Sequence, residues 1–279
     1  MKKHITVSLL VFCALFNKNV HAKKVIDPLY ASTSIVIGFK DGKDKIKATG
    51  FFFVDEKTKL YIVTNKHVIY GNKFAEDGDP IIDGIRLNLH IDPNDLTKNK
   101  ELTISLIEGR KKRWLQHRSN PEIDVVLIPA EIDRTKYFIV PLNKSLIETG
   151  NVQVGFEKIY LMGYPFGWYD KVNNLPITRV GHLSSPFKVP FMGKQVMLGD
   201  IETHNGMSGS PVFMKLEDYT EIEGDKSIKR MGATKIVLLG IHSGQPLWEL
   251  VDKKSGKKMP IRHTLANIWF ADLILEILE

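Results

Sequence analysis

The chain has 279 residues, of which 43% are hydrophobic and 25% charged, which excludes disordered, collagen-like and coiled-coil chains and allows a sizeable core. Its formal charge is +7, but the first 22 residues hold Lys2, Lys3 and Lys18 and no acid, so the remaining 257 carry 36 basic against 32 acidic groups. A net +4 on that length serves solubility rather than a phosphate footprint, and no nucleic-acid partner is expected.

In chain order, the opening reads as a secretory leader. Lys2 and Lys3 give a positive start, Ile5 to Phe16 form an apolar stretch, and Val20-His21-Ala22 offers a small-residue cleavage site, so cleavage is expected after Ala22. Lys18 breaks the run before the roughly 20 apolar residues of a membrane span, so no stable membrane insertion is expected. Phe12 is too bulky for a lipid-attachment site around Cys13, the single cysteine. Residues 23–279 would thus be secreted or periplasmic without any disulfide, and packing must hold them together.

Past residue 30, short β-branched and aromatic runs alternate with Gly, Pro, Asn and Asp turns. Expected strands are Ser34 to Phe39, Thr49 to Val54, Leu60 to Thr64, Ile85 to Ile91, Leu102 to Ile107 and Asp124 to Pro129. A second set runs Lys158 to Gly163, Ile177 to Leu183, Gln195 to Ile201, Pro211 to Met214 and Lys235 to His242, with Glu131 to Val154 as the connection. The runs are too short and closely spaced for βαβ units, so an all-β sandwich or barrel pair follows. Leu265, Ile268, Trp269, Leu273 and Ile277 recur at helical spacing, which predicts a C-terminal helix over about 264–279. The charged runs at Asp92 to Lys100, Lys111 to Arg113 and Lys253 to Lys258 read as solvated loops, and Phe51 to Phe53 as core.

The strongest chemical motif is Gly206-Met207-Ser208-Gly209-Ser210-Pro211-Val212. A serine between glycines, leading into an apolar strand, suits acyl transfer: a tight turn exposes the hydroxyl, and free amides at Gly206 and Ser208 can hold an oxyanion. A plain Gly-Ser turn has the same look, so the motif needs a base and a group to orient it. His67 ends the apolar run Tyr61 to Thr64 through Asn65-Lys66, and Asp124 opens Asp124-Val125-Val126-Leu127 at the mouth of a buried strand. Together they give His, Asp and Ser in that order.

On these residues the chain resembles the bacterial trypsin-like, chymotrypsin-fold serine peptidases over about residues 30–279. Thr64-Asn65-Lys66-His67-Val68 is similar to their histidine motif and Asp124-Val125-Val126-Leu127 to their aspartate strand. Gly206 to Phe213 is similar to the serine motif of glutamyl endopeptidases and exfoliative toxins, and Gly163-Tyr164-Pro165-Phe166-Gly167 and Gly240-Ile241-His242-Ser243-Gly244 match further segments. The resemblance implies two six-stranded antiparallel β-barrels, at about 30–140 and 150–262, with the site between them and a C-terminal α-helix. It implies cleavage of a peptide or protein substrate through an acyl-enzyme. Ser208 would be nucleophile, His67 base then acid, Asp124 the orienting carboxylate, and Gly206 and Ser208 the oxyanion donors. Met207 departs from the family's usual Asn, Ser or Asp, so an activation switch based on an acid at 207 cannot operate.

By the same resemblance Glu202 would lie at the bottom of the specificity pocket and favour a basic substrate side chain. Thr203 and His242 occupy positions that contact an acidic side chain in the glutamyl endopeptidases. The two cues conflict; cleavage after Glu is expected if Glu202 points out of the pocket. The rival reading is a binding or adhesion protein on the same fold with a misaligned triad, kept alive by Met207 beside Ser208. A chaperone-protease would append further modules, and only 71 residues follow Ser208. No His-Glu-x-x-His, paired-cysteine or glycine-rich phosphate motif is present, so neither a metal nor another cofactor is expected. Oligomeric state is left open by the sequence.

Overall fold

In a computed structural model of the chain the described residues are 26–71, 79–147, 154, 157–252, 255, 257–261 and 263–279. The leader, its cleavage point and Cys13 lie outside them. Strands β1 (Thr33–Lys40), β2 (Lys43–Val54) and β3 (Leu60–Thr64) form a meander. Asp41 and Gly42, at φ 51° and 73°, make the two-residue turn between β1 and β2, a position that only small or Asn/Asp-like residues take readily. Next come β4 (Gly84–His90), β5 (Asn99–Ser105), β6 (Leu115–Gln116) and β7 (Val126–Pro129). The resulting antiparallel sheet runs β5-β4-β1-β2-β3-β7-β6. The second half comprises β8 (Lys158–Gly163), β9 (Ile177–Leu183), β10 (Val196–Asp200), β11 (Pro211–Glu217), β12 (Thr234–His242) and β13 (Leu265–Phe270). These six close into an antiparallel barrel in the order β8-β9-β10-β13-β12-β11.

The all-β architecture stands, with two corrections. The first half is a seven-stranded sheet rather than a closed six-stranded barrel, since no ladder joins β5 to β6 among the described residues. Strand β5 exposes Lys100, Glu101 and Thr103, and a hydrated, charged edge of this kind resists further pairing. The second correction concerns the C-terminus. The helix expected over 264–279 is only α2 (Asp272–Leu278), and Leu265–Phe270 is strand β13. Short apolar runs fit both periods, and here pairing decides: β13 bonds to β10 through Val196↔Trp269 and to β12 through Gly240↔Phe270, which closes the barrel.

The core follows from the two-residue side-chain period of strands. Phe51 and Phe53 point into one cluster and Phe52 into another. Tyr61 and Val63 against Ile62, and Val125 and Leu127 against Val126 and Ile128, divide the same way. The second half of β2, and strands β3 and β7, are therefore apolar on both faces. One face fills the interior of the first sheet; the other joins the barrel and the Leu273, Ile274 and Ile277 side of α2. Each of these phenylalanines gains about 2 kcal/mol from leaving water. The shared cluster fixes the two halves against each other, and the candidate residues lie along that seam.

Candidate active site

His67 sits in α1 (Lys66–Tyr70), a single helical turn that stops at Gly71, whose amide donates to His67 O at 2.7 Å and whose φ is 77°. The preceding β3 is buried at every position, so the strand delivers the imidazole to the seam. Asp124 lies two residues before β7 and is 4% exposed. Because β3 and β7 pair from Tyr61↔Pro129 to Thr64↔Val126, the residues just beyond Thr64 and just before Val126 must meet. They do: His67 N–H donates to Asp124 Oδ1 at 2.9 Å, and His67 Nδ1 is 2.7 Å from Asp124 Oδ2. Asn65 adds a third link, its Nδ2 donating to Asp124 O at 2.7 Å. A carboxylate only accepts, so Nδ1 carries the proton and Nε2 presents a lone pair.

That lone pair meets Ser208 Oγ at 2.8 Å. Ser208 belongs to a tight loop ahead of β11, with Met207 N–H bonded to His204 O at 3.1 Å and Ser210 N–H to Met207 O at 3.0 Å. Gly206 and Gly209 have φ 91° and 85°, and both need to be glycine. A Cβ at Gly209 would lie 2.1 Å from Thr49 O, and one at Gly206 would lie 2.4 Å from Tyr164 O. The amides of Gly206 and Ser208, the two expected oxyanion donors, bond to no other group among the described residues. Met207 is fully buried in the main cluster, so this bulky neighbour of Ser208 anchors the loop to the core.

The three expected specificity residues diverge. Glu202 is 60% exposed at its side chain and pairs with Arg179 Nη1 of β9 at 2.8 Å, with His204 Nε2 3.6 Å away. It does not form the floor of an enclosed anionic pocket. Thr203 and His242 are buried, and His242 brackets the nucleophile loop: its O accepts from Gly209 N–H and its N–H donates to Ser210 O, both at 2.9 Å. Burial lowers the pKa of the His242 imidazole to about 4, offset in part by Asn267 O. A histidine whose folded value falls below its free value is protonated first in the unfolded chain. Its stabilising contribution is complete above about pH 7 and fades as pH falls through 6.5 toward 4, by ~3 kcal/mol in all. The melting temperature should accordingly drop across that window, and His242→Gln should flatten the drop. An unchanged acid limb in the variant would exclude this origin.

Two participants escaped sequence reasoning. Thr49 was legible only as the start of an apolar strand, yet its N–H donates to Ser208 O and its hydroxyl to Gly206 O, each at 2.8 Å. Phe166, inside a motif noticed for its resemblance alone, donates its N–H to Asn205 O and stacks on the His204 ring with centroids 4.7 Å apart. The signal available in sequence was the Gly-Tyr-Pro-Phe-Gly turn, with nothing to say what it touches.

Solved structures similar to this chain include a thermostable serine protease, AL20, from an extremophilic microorganism, at 10% identity and TM-score 0.49 over 90% of this chain and 97% of that one. A serine endoprotease from Yersinia pestis is 14% identical at TM-score 0.47, over 89% of this chain and 62% of that one. An inactivated protease paralogue from the scabies mite is 13% identical at TM-score 0.47, over 92% and 96% of the two chains. No curated protein sequence matches significantly. The family described as trypsin-like peptidase domain matches residues 48–217, a span that includes His67, Asp124 and Ser208, and the chain belongs to that family.

Proposed function

We propose that the protein is a secreted serine endopeptidase that hydrolyses peptide bonds through an acyl-enzyme on Ser208. The carrying observation is the unbroken chain from Asp124 through His67 to Ser208 at 2.7 and 2.8 Å, with the correct ring nitrogen facing each partner. In the first step Ser208 Oγ attacks the peptide carbonyl while its proton passes to His67 Nε2, and the carbonyl oxygen becomes an anion facing the Gly206 and Ser208 amides. Collapse returns the proton from His67 to the departing amine. Water then repeats the sequence and frees the acyl group. Asp124 holds the imidazolium formed twice per cycle. Secretion is supported by the leader-like residues 1–22 alone.

We further propose cleavage after Glu. Glu202 is turned to solvent and its charge is offset by Arg179, which removes the attraction for a basic side chain. Buried His242 and Thr203 supply donors, as an acidic side chain requires. His242 Nδ1 lies 3.3 Å from Asn267 O, to which an Nδ1–H donates, and 3.4 Å from Gly244 N–H, which donates to a bare Nδ1; the donor to a Glu side chain is Nε2–H of the second tautomer. A hydrogen bond to a charged group is worth about 1.5–3 kcal/mol, roughly tenfold to a hundredfold in kcat/KM. Peptides differing only in the residue before the scissile bond should show that advantage for Glu over Gln and Lys, and His242→Leu should erase it. Preference for Lys, or equal turnover across the panel, would exclude the assignment.

A further inference from the structure

The two amides expected to hold the oxyanion belong to peptides whose orientation something else must hold. A trans peptide is planar, with C=O and N–H pointing opposite ways, so a donor that seizes the carbonyl aims the amide hydrogen to the other side. Every carbonyl from Asn205 to Ser208 is seized in this way. Phe166 N–H holds Asn205 O, Thr49 Oγ1 holds Gly206 O, Ser210 N–H holds Met207 O, and Thr49 N–H holds Ser208 O. Three of these donors are backbone amides that substitution leaves in place. One is a side chain.

We propose that Thr49 is a positioning residue: its hydroxyl locks the Gly206–Met207 peptide, which links the two peptides that carry the Gly206 and Ser208 amides, and thereby fixes how those two amides are turned relative to each other. Gly206 needs such a lock. At φ 91° it occupies a region where glycine reaches several conformations at little cost, and neighbouring peptides there rotate unless held. The hydroxyl is itself oriented, because it accepts Tyr164 N–H at 3.2 Å and so must direct its proton at Gly206 O, 2.8 Å away. Tyr164 begins the turn in which Phe166 adopts φ 54°, ψ 16° to reach Asn205 O. Thr49, fully buried on β2, thus ties the first sheet, the Tyr164 turn and the oxyanion loop at one oxygen. It touches none of the reacting atoms.

This inference rests on the proposed role of Ser208, and the test separates the two. Thr49→Val keeps the shape and removes the hydroxyl; Thr49→Ser keeps the hydroxyl. Thr64→Val is the control, since Thr64 Oγ1 donates to Thr49 O at 2.8 Å, a buried bond of the same kind that touches no carbonyl of the loop. With a peptide substrate, Thr49→Val should lower kcat about 30-fold with KM within about twofold and an unaltered pH profile, because misaiming a donor costs less than deleting one. Labelling by a fluorophosphonate, whose phosphoryl oxygen sits where the oxyanion forms, should slow in parallel. Thr49→Ser should recover kcat to within about threefold, and Thr64→Val should lose stability while kcat stays within about threefold. An active wild type with kcat unchanged in Thr49→Val, or with equal losses in Thr49→Val and Thr64→Val, overturns the positioning role and leaves the serine mechanism standing. A wild type that neither cleaves nor labels overturns both.

Discussion

Replacing Ser208 with alanine is expected to lower kcat/KM by about a million-fold, close to 8 kcal/mol of transition-state stabilisation. The size follows from the geometry. Among the described residues Ser208 Oγ is the hydroxyl bonded to His67 Nε2, at 2.8 Å, and alanine leaves the imidazole facing water in its place. Residual turnover would come from the Gly206 and Ser208 amides, which the substitution spares. Folding should be untouched, because the loop is held through backbone atoms: Ser208 O to Thr49 N–H, and Gly209 N–H to His242 O. Substrate should therefore still bind to the variant with KM near the wild-type value. Mass spectrometry after fluorophosphonate treatment gives a second readout, with one adduct on the wild type and none on the variant. A purely adhesive protein on this fold would yield no adduct and no loss, and that pair of results would sink the peptidase reading.

The features readable in advance were those carried by local pattern. Strands β3, β8 and β9 follow their predicted limits because an apolar run between turn residues has one solution when it is buried. The segment Leu265–Phe270 was misread because its partners, β10 and β12, lie tens of residues away, and spacing within the segment cannot register them. The same division holds at the site. Residue type and order brought out His67, Asp124 and Ser208, since few side chains perform acyl transfer. Thr49 stayed hidden because its importance is a hydrogen bond to a residue 157 positions away. Which way Glu202 turns was hidden for the converse reason: Arg179, 23 residues earlier on the neighbouring strand, pairs with its carboxylate at the surface. Candidate side chains were legible in residue identity, while their orientation depended on the pairing of distant strands.

Asp124→Asn provides the sharpest test of how the base is prepared, with kcat expected to fall about ten-thousand-fold and KM little altered. The substitution conserves shape and changes only which atoms donate. Asp124 now accepts twice, from His67 N–H at Oδ1 and from His67 Nδ1–H at Oδ2. An asparagine has one accepting oxygen, and the backbone N–H of His67, fixed by α1, claims it. The amide NH2 then faces Nδ1, which must turn acceptor, so the imidazole proton moves to Nε2. Nε2–H points at Ser208 Oγ and has no lone pair for its proton. Attack must then proceed from a neutral hydroxyl without a base, or through the minor Nδ1–H tautomer, whose imidazolium would meet a dipole in place of a charge. Nitrogen chemical shifts of His67 should report Nδ1–H in the wild type and Nε2–H in the variant. Asp124→Ala, by contrast, also strands the His67 amide in a buried site and should cost stability that Asn does not. If Asp124→Asn turned over within tenfold of the wild type, the carboxylate would not be what sets the tautomer. The short contact between Asp124 and His67 would then be a feature of folding alone.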